Sequence, residues 1–121
     1  MNTLTRKEEE IMNLYWEHGD MKVSLLQTLY DDPKPHVNTL STMIHILEKK
    51  GFLSHRALTG KNYEYFAITS KDEYSLNSLK GLVDKFYGKS CIDAISALLA
   101  DGAVTANDLK KLTERPDYPQ T

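Results

Sequence analysis

The sequence predicts a mostly α-helical chain with one small β-hairpin, and three observations carry that reading. Apolar residues recur at helical spacing in several separated segments. Two runs of β-type residues flank the turn Thr59-Gly60-Lys61-Asn62, between Leu53 and Ile68. Glycines or prolines punctuate the segments, at Gly19, Pro33, Pro35, Gly51, Gly88 and Gly102.

Thr5-Arg6-Lys7-Glu8 is a capping-box sequence preceded by Leu4 as a staple residue, so a first helix runs from there to about His18 and stops at Gly19. Its Ile11, Met12, Leu14, Tyr15 and Trp16 are too many apolar residues for a free helix and must be covered, with Trp16 read as core rather than as a ligand site. Met21 to Ser24 reads as a short extended piece. Ser24 caps a second helix through about Tyr30, with Leu25, Leu26 and Leu29 inward. The loop Asp31-Asp32-Pro33-Lys34-Pro35 then restricts the backbone and sets the angle of the next helix.

That third helix has Leu40, Ile44 and Leu47, flanked by Val37 and Met43, on one face. Asn38, Thr42, His45 and Lys49 recur at i, i+4, i+7 and i+11 opposite. One face packs and the other is open to a partner. Helix, helix, helix, hairpin is the order of a winged helix-turn-helix, with a recognition helix followed by a wing whose tip carries Lys61.

Ser70-Lys71-Asp72-Glu73 opens a further helix, in which Leu76, Leu79, Leu82, Val83 and Phe86 keep helical spacing up to Gly88, and Gly81 suggests close packing. Ile92, Ile95, Leu98 and Leu99 mark a helix ending near Gly102. Thr105 to Asp108 opens the last, with Leu109 and Leu112 inward. The expected organisation is a DNA-binding domain over 1–70, a helical dimerisation region over 71–114 and a disordered, proline-rich tail over 115–121.

A length of 121 residues suits about one domain with a modest core. No apolar run approaches the roughly 20 residues that span a bilayer, so no membrane insertion is expected. The N-terminal Met-Asn-Thr-Leu-Thr-Arg lacks the apolar stretch of a signal peptide, and a cytoplasmic protein is expected. A single cysteine, Cys91, leaves no internal disulfide and no multi-thiolate metal site, and no cofactor is called for. His18, His36, His45 and His55 show neither metal spacing nor a nucleophile partner, which argues against an enzyme.

The net charge of −2 gives no overall basic signal, but its distribution does. From Lys34 to Tyr63 lie Lys34, Lys49, Lys50, Arg56 and Lys61 against the single acid Glu48, with His36, His45 and His55 among them. Base-edge candidates are Asn38, Thr39, Ser41, Thr42 and His45; phosphate candidates are Lys49, Arg56 and Lys61, with His55 beside them. Asn38 suits bidentate pairing with adenine, and threonine methyls suit thymine. For Thr39 and Ser41, local backbone bonding is the competing reading. Ile46 is expected to pack at the helix edge rather than touch a thymine methyl. Phosphate contact should favour charged histidines, so affinity should rise as pH falls.

The apolar stripes of the C-terminal helices need a partner beyond the winged helix. A second subunit supplies it economically, through Leu79, Leu82, Val83, Phe86, Ile92, Ile95, Leu98 and Leu99, because a two-fold homodimer spaces two recognition helices about 34 to 36 Å apart, matching a dyad operator in double-stranded DNA. The alternative for these stripes is a tail folded back on its own winged helix; the alternative for the function is a winged helix used only for protein interaction, which would show no late, salt-dependent elution from heparin.

Leu4-Thr5, Glu8-Glu9-Glu10-Ile11-Met12 and Trp16, then Asn38-Thr39-Leu40-Ser41-Thr42-Met43, Leu47-Glu48-Lys49-Lys50-Gly51, His55-Arg56, Gly60-Lys61, Tyr63-Glu64-Tyr65 and Ser70-Lys71-Asp72-Glu73-Tyr74, resemble the penicillinase repressor family and its copper-responsive relatives. The resemblance runs from Leu4 to about Leu112. It implies a homodimeric winged-helix repressor, often encoded beside a membrane sensor-protease, that blocks transcription of resistance genes until it is cleaved. Three departures limit the transfer. Cys91 alone cannot supply the cysteine cluster of the copper-responsive members, so metal sensing is not expected. The Asn-Phe bond cut in β-lactam-responsive members is missing from Ile95-Ser96-Ala97-Leu98-Leu99. Ile46 stands where family recognition helices commonly carry Arg or Lys, so their operator sequence does not carry over.

Overall fold

The computed structural model of the chain describes residues 3–119. Among them, helices α1 (Arg6–His18), α2 (Val23–Thr28) and α3 (Val37–Lys49) precede the antiparallel strands β1 (Leu53–Ala57) and β2 (Tyr63–Ala67). Helices α4 (Lys71–Phe86), α5 (Cys91–Asp101) and α6 (Ala106–Thr113) follow. This is the expected winged helix-turn-helix followed by helices. The chain divides into two compact units, one ending at Ser78 and one beginning at Leu79.

In the first unit the core gathers Ile11, Met12 and Tyr15 from α1, Met21, Leu26 from α2, Leu40, Ile44 and Leu47 from α3, and Phe52, Leu53 and Tyr65 from the hairpin region. The amphipathic pattern of α3 is thereby realised: its three apolar residues at helical spacing are the ones it buries. Trp16 lies half-buried beside this core, where its indole N–H donates to the Thr69 carbonyl at 2.9 Å and its ring meets Tyr74. The Tyr74 hydroxyl in turn donates to Glu9 at 2.8 Å, which seats the start of α4 on α1.

The first capping box forms as read, with the Glu8 amide donating to Thr5 Oγ1 at 3.2 Å and the Thr5 amide to Glu8 Oε1 at 2.8 Å. Glu8 is also buried, and Lys50 donates to the same oxygen at 2.7 Å, tying the first turn of α1 to the end of α3. Burial alone would raise the Glu8 pKa, but the Lys50 ammonium and the Thr5 amide outweigh it and hold it below the ordinary value. Glu8→Gln keeps a capping side chain and loses the charge, so it is expected to cost about 1–3 kcal/mol at neutral pH. Because the folded-state pKa is depressed, that contribution is present above about pH 4.5 and is lost as pH falls through the folded value. Thermal melts of both proteins at pH 7 and below pH 4 check this, since the gap should narrow in acid.

The second helix departs from expectation. Met21 is held extended by a two-way pairing with Tyr65, amide to carbonyl at 3.0 Å and 2.9 Å, and the chain turns helical directly after Lys22. Ser24 therefore lies inside α2 and caps nothing; the N-cap is Lys22, with no side-chain bond. Leu26 is fully buried, with Val23 and Leu29 packed partly buried against the core, while Leu25, expected inward, is 50% exposed.

In the second unit, the Ser90 hydroxyl accepts from the Asp93 amide at 3.1 Å to cap α5, whose end at Gly102 is left-handed with φ 84°. A second capping box joins Thr105 and Asp108. Gly81 marks no close packing, because a Cβ built there meets nothing within 4 Å. Val83 does not belong with the exposed stripe: at 7% exposure it is already buried in its own chain. In the expected disordered tail, Arg115 pairs with Asp117 at 3.0–3.1 Å, and residues 120–121 lie outside the described residues, as do Met1 and Asn2 at the segment searched for a signal peptide.

Candidate nucleic-acid interface

The outward arc of α3 is built by the burial of its other face. Asn38, Thr39, Thr42, His45, Ile46 and Lys49 are exposed and Ser41 is half-buried. The helix entry is fixed by His36, whose Nδ1 accepts from the Asn38 amide at 3.0 Å. Its exit is fixed where the Phe52 amide donates to the Leu47 carbonyl at 2.9 Å, carrying the chain into β1.

Two hollows flank this arc. On one side Thr39 lines a recess with Lys7, Tyr30, Pro33 and Pro35. On the other, Ser41 and His45 share a hollow with Lys22, Ser24, Lys61, Asn62, Tyr63 and Tyr65, between α3, the start of α2 and the hairpin. His45 Nε2 lies 3.4 Å from the Tyr65 hydroxyl, whose pKa is raised by burial and then by Glu48. Asn38, Thr42 and Lys49 line neither recess. The Thr42 hydroxyl donates back to the Asn38 carbonyl at 3.0 Å.

The hairpin sorts its basic residues onto two faces. Register pairs His55 with Tyr65 and Arg56 with Glu64, so neighbouring side chains alternate. His55 turns to α3, where Nδ1 meets Glu48. Arg56 turns away, ion-paired to Asp20 and at 2.9 Å to Glu64, with its guanidinium 5.0 Å from the Phe66 ring. The Glu64 hydrogen bond first and the Asp20 bond second raise its pKa. Arg56 is thus occupied on the face opposite the reading helix, contrary to the phosphate role expected for it.

Other cations of the basic stretch are also engaged. Lys50 holds Glu8, and Lys34 donates to the Thr28 and Tyr30 carbonyls behind α2. Lys49 and Lys61 make no ion pair among the described residues. The positive surface is therefore narrower than the sequence count suggests. The histidines do not act alike either: His36 Nδ1 is the acceptor that caps α3, so this ring serves the helix start.

Sequence reasoning missed Lys22, Asn62 and Tyr63, which line the hollow beside His45. No spacing pattern links Lys22 to the turn; only the Met21–Tyr65 pairing brings them together. Among the described residues, no group of three or more His, Cys, Asp or Glu is placed to hold a metal ion, and no helix is long and apolar enough to cross a membrane.

A family model described as penicillinase repressor matches residues 4–117. The chain belongs to the penicillinase repressor family. It is accordingly a DNA-binding repressor of transcription and not an enzyme. Among curated proteins none matches. Solved structures that match are distant in sequence. The hsRosR-S4 complex aligns at a TM-score of 0.55 and 15% identity, over 84% of this chain and 91% of that one. H. salinarum RosR grown from NaBr gives 0.54 at 15% identity, over 84% and 96%. The hsRosR-S1 complex gives 0.54 at 15%, over 83% and 92%. These likenesses show that this chain shares the RosR fold.

Proposed function

We propose that two copies of this repressor bind a dyad operator in double-stranded DNA, each laying α3 in the major groove with the hairpin over the adjacent backbone. The observation that carries this reading is the exposed polar arc of α3 with the uncompensated Lys49 at its end and Lys61 at the hairpin tip. Asn38 and Thr42 read bases; His45 and Ser41 face the hollow toward the hairpin, and Thr39 the opposite recess. Lys49 and Lys61 hold phosphates, with Lys22 added to the set, while His55 contributes only where DNA displaces Glu48.

The homodimer forms through the second unit. Leu79, Leu82, Phe86, Ile92, Ile95, Leu98 and Leu99 stand between 36% and 74% exposed in the single chain, far more apolar surface than isolated scatter leaves. The regulated genes form a resistance or stress operon, and a membrane sensor-protease induces it by cutting in the cytoplasm within this unit, at a bond other than Asn-Phe. Selection from a random duplex library tests the DNA reading. A dyad consensus with half-site centres about 34–36 Å apart is expected; no sequence preference, as for a protein-interaction module, would overturn it.

A further inference from the structure

Ile46 is partly covered at the edge of α3 and still 43% exposed, flanking the outward arc of Asn38, Thr42 and Lys49. Thr42 precedes it by one helical turn, and the Thr42 hydroxyl is committed to the Asn38 carbonyl at 3.0 Å. That bond spends the hydroxyl proton, so toward a partner Thr42 presents an acceptor oxygen and its methyl group, with no donor. Residues at i and i+4 sit side by side on a helix, so Thr42 and Ile46 together form a small methyl-bearing strip amid otherwise polar reading residues. The two methyl-bearing faces of such a strip donate no hydrogen bond to a base edge or a phosphate. In the major groove the apolar feature available to it is the C5-methyl of thymine.

We propose that Ile46, with the Thr42 methyl, is a specificity-determining residue that reads thymine methyls in each half-site. The inference rests on the DNA-binding reading above. The rise of about 1.5 Å per residue separates the two side chains by roughly 6 Å along α3, close to two base steps at about 3.4 Å each. The preferred half-site therefore carries thymines within two steps of one another, beside the step that Asn38 reads.

The test replaces each thymine of the library-selected site by deoxyuridine, which removes the methyl and leaves the hydrogen-bonding edge intact. Titrations compare the wild-type chain, Ile46→Ala and Thr42→Ser, the last keeping the hydroxyl that bonds Asn38. Wild-type affinity should fall about fourfold for each half-site methyl removed, the factor that one buried methylene is worth. Ile46→Ala should bind thymine and uracil DNA equally at the position it reads, and Thr42→Ser should lose sensitivity at the neighbouring one. A clear dyad preference with uracil tolerated at every position overturns the methyl reading alone, as does an Ile46→Ala chain that keeps the full uracil penalty. Absence of any preferred site overturns the DNA reading and this inference with it.

Discussion

A chain ending at Ser90 is expected to sediment as a monomer and to release, at physiological salt, operator DNA that the 121-residue chain holds. The truncation removes Ile92, Ile95, Leu98 and Leu99, all at least 36% exposed in the single chain. Each leucine-sized side chain contributes roughly 1.5–3 kcal/mol when fully buried. Only the exposed part of each remains to be buried in a dimer, about two side chains' worth or roughly 3–6 kcal/mol per subunit, which is still as much as many dimers can lose. Once separated, each monomer forfeits the linked second half-site, a factor on the order of 10²–10⁴ in affinity. The winged helix itself should stay folded, because the core cluster lies wholly before Ser78. Sedimentation and operator titration of the shortened protein check both halves. A truncated dimer with full affinity would remove the C-terminal interface and any induction that works by cutting it.

Asn38→Ala is expected to weaken the preferred site by about 1–3 kcal/mol while leaving non-specific DNA nearly untouched. Asn38 is exposed and its amide, not its side chain, receives the His36 cap, so the substitution removes a reading group and leaves the helix start in place. Lys49→Ala should behave in the opposite manner, weakening all sequences alike and reducing the salt slope by about one unit. Titrations of both variants over several salt concentrations separate the roles. Equal losses on specific and non-specific DNA for Asn38→Ala would remove it from base reading.

Local rules made much of the first unit legible in the sequence. The Thr5–Glu8 box, the apolar spacing Leu40, Ile44, Leu47 and the glycine at position 19 each depend on residues within a turn or two, and each appears where the spacing places it. What escaped depends on pairing between distant residues. Met21 bonding to Tyr65 advances the start of α2 and assembles the hollow containing Lys22 and Tyr63. A count of basic charge along the chain carries no strand alternation, which sets neighbours His55 and Arg56 on opposite faces and gives Arg56 to Asp20 and Glu64. His36 belongs to the basic stretch by residue type, whereas in the fold its Nδ1 is the acceptor that caps α3. Val83 shares the period of the exposed stripe, and periodicity alone does not tell burial within a chain from burial between chains.

The geometry of a two-fold repressor is tested most directly by the operator itself. Inserting five base pairs between the selected half-sites turns one of them about half a helical turn away, since B-DNA repeats every 10–10.5 base pairs or so. Two copies joined through their second units should then lose the combined grip, with affinity falling on the order of 100-fold toward that of a single half-site. Unchanged affinity on the five-base-pair insertion would contradict a fixed dimer reading a dyad with paired α3 helices.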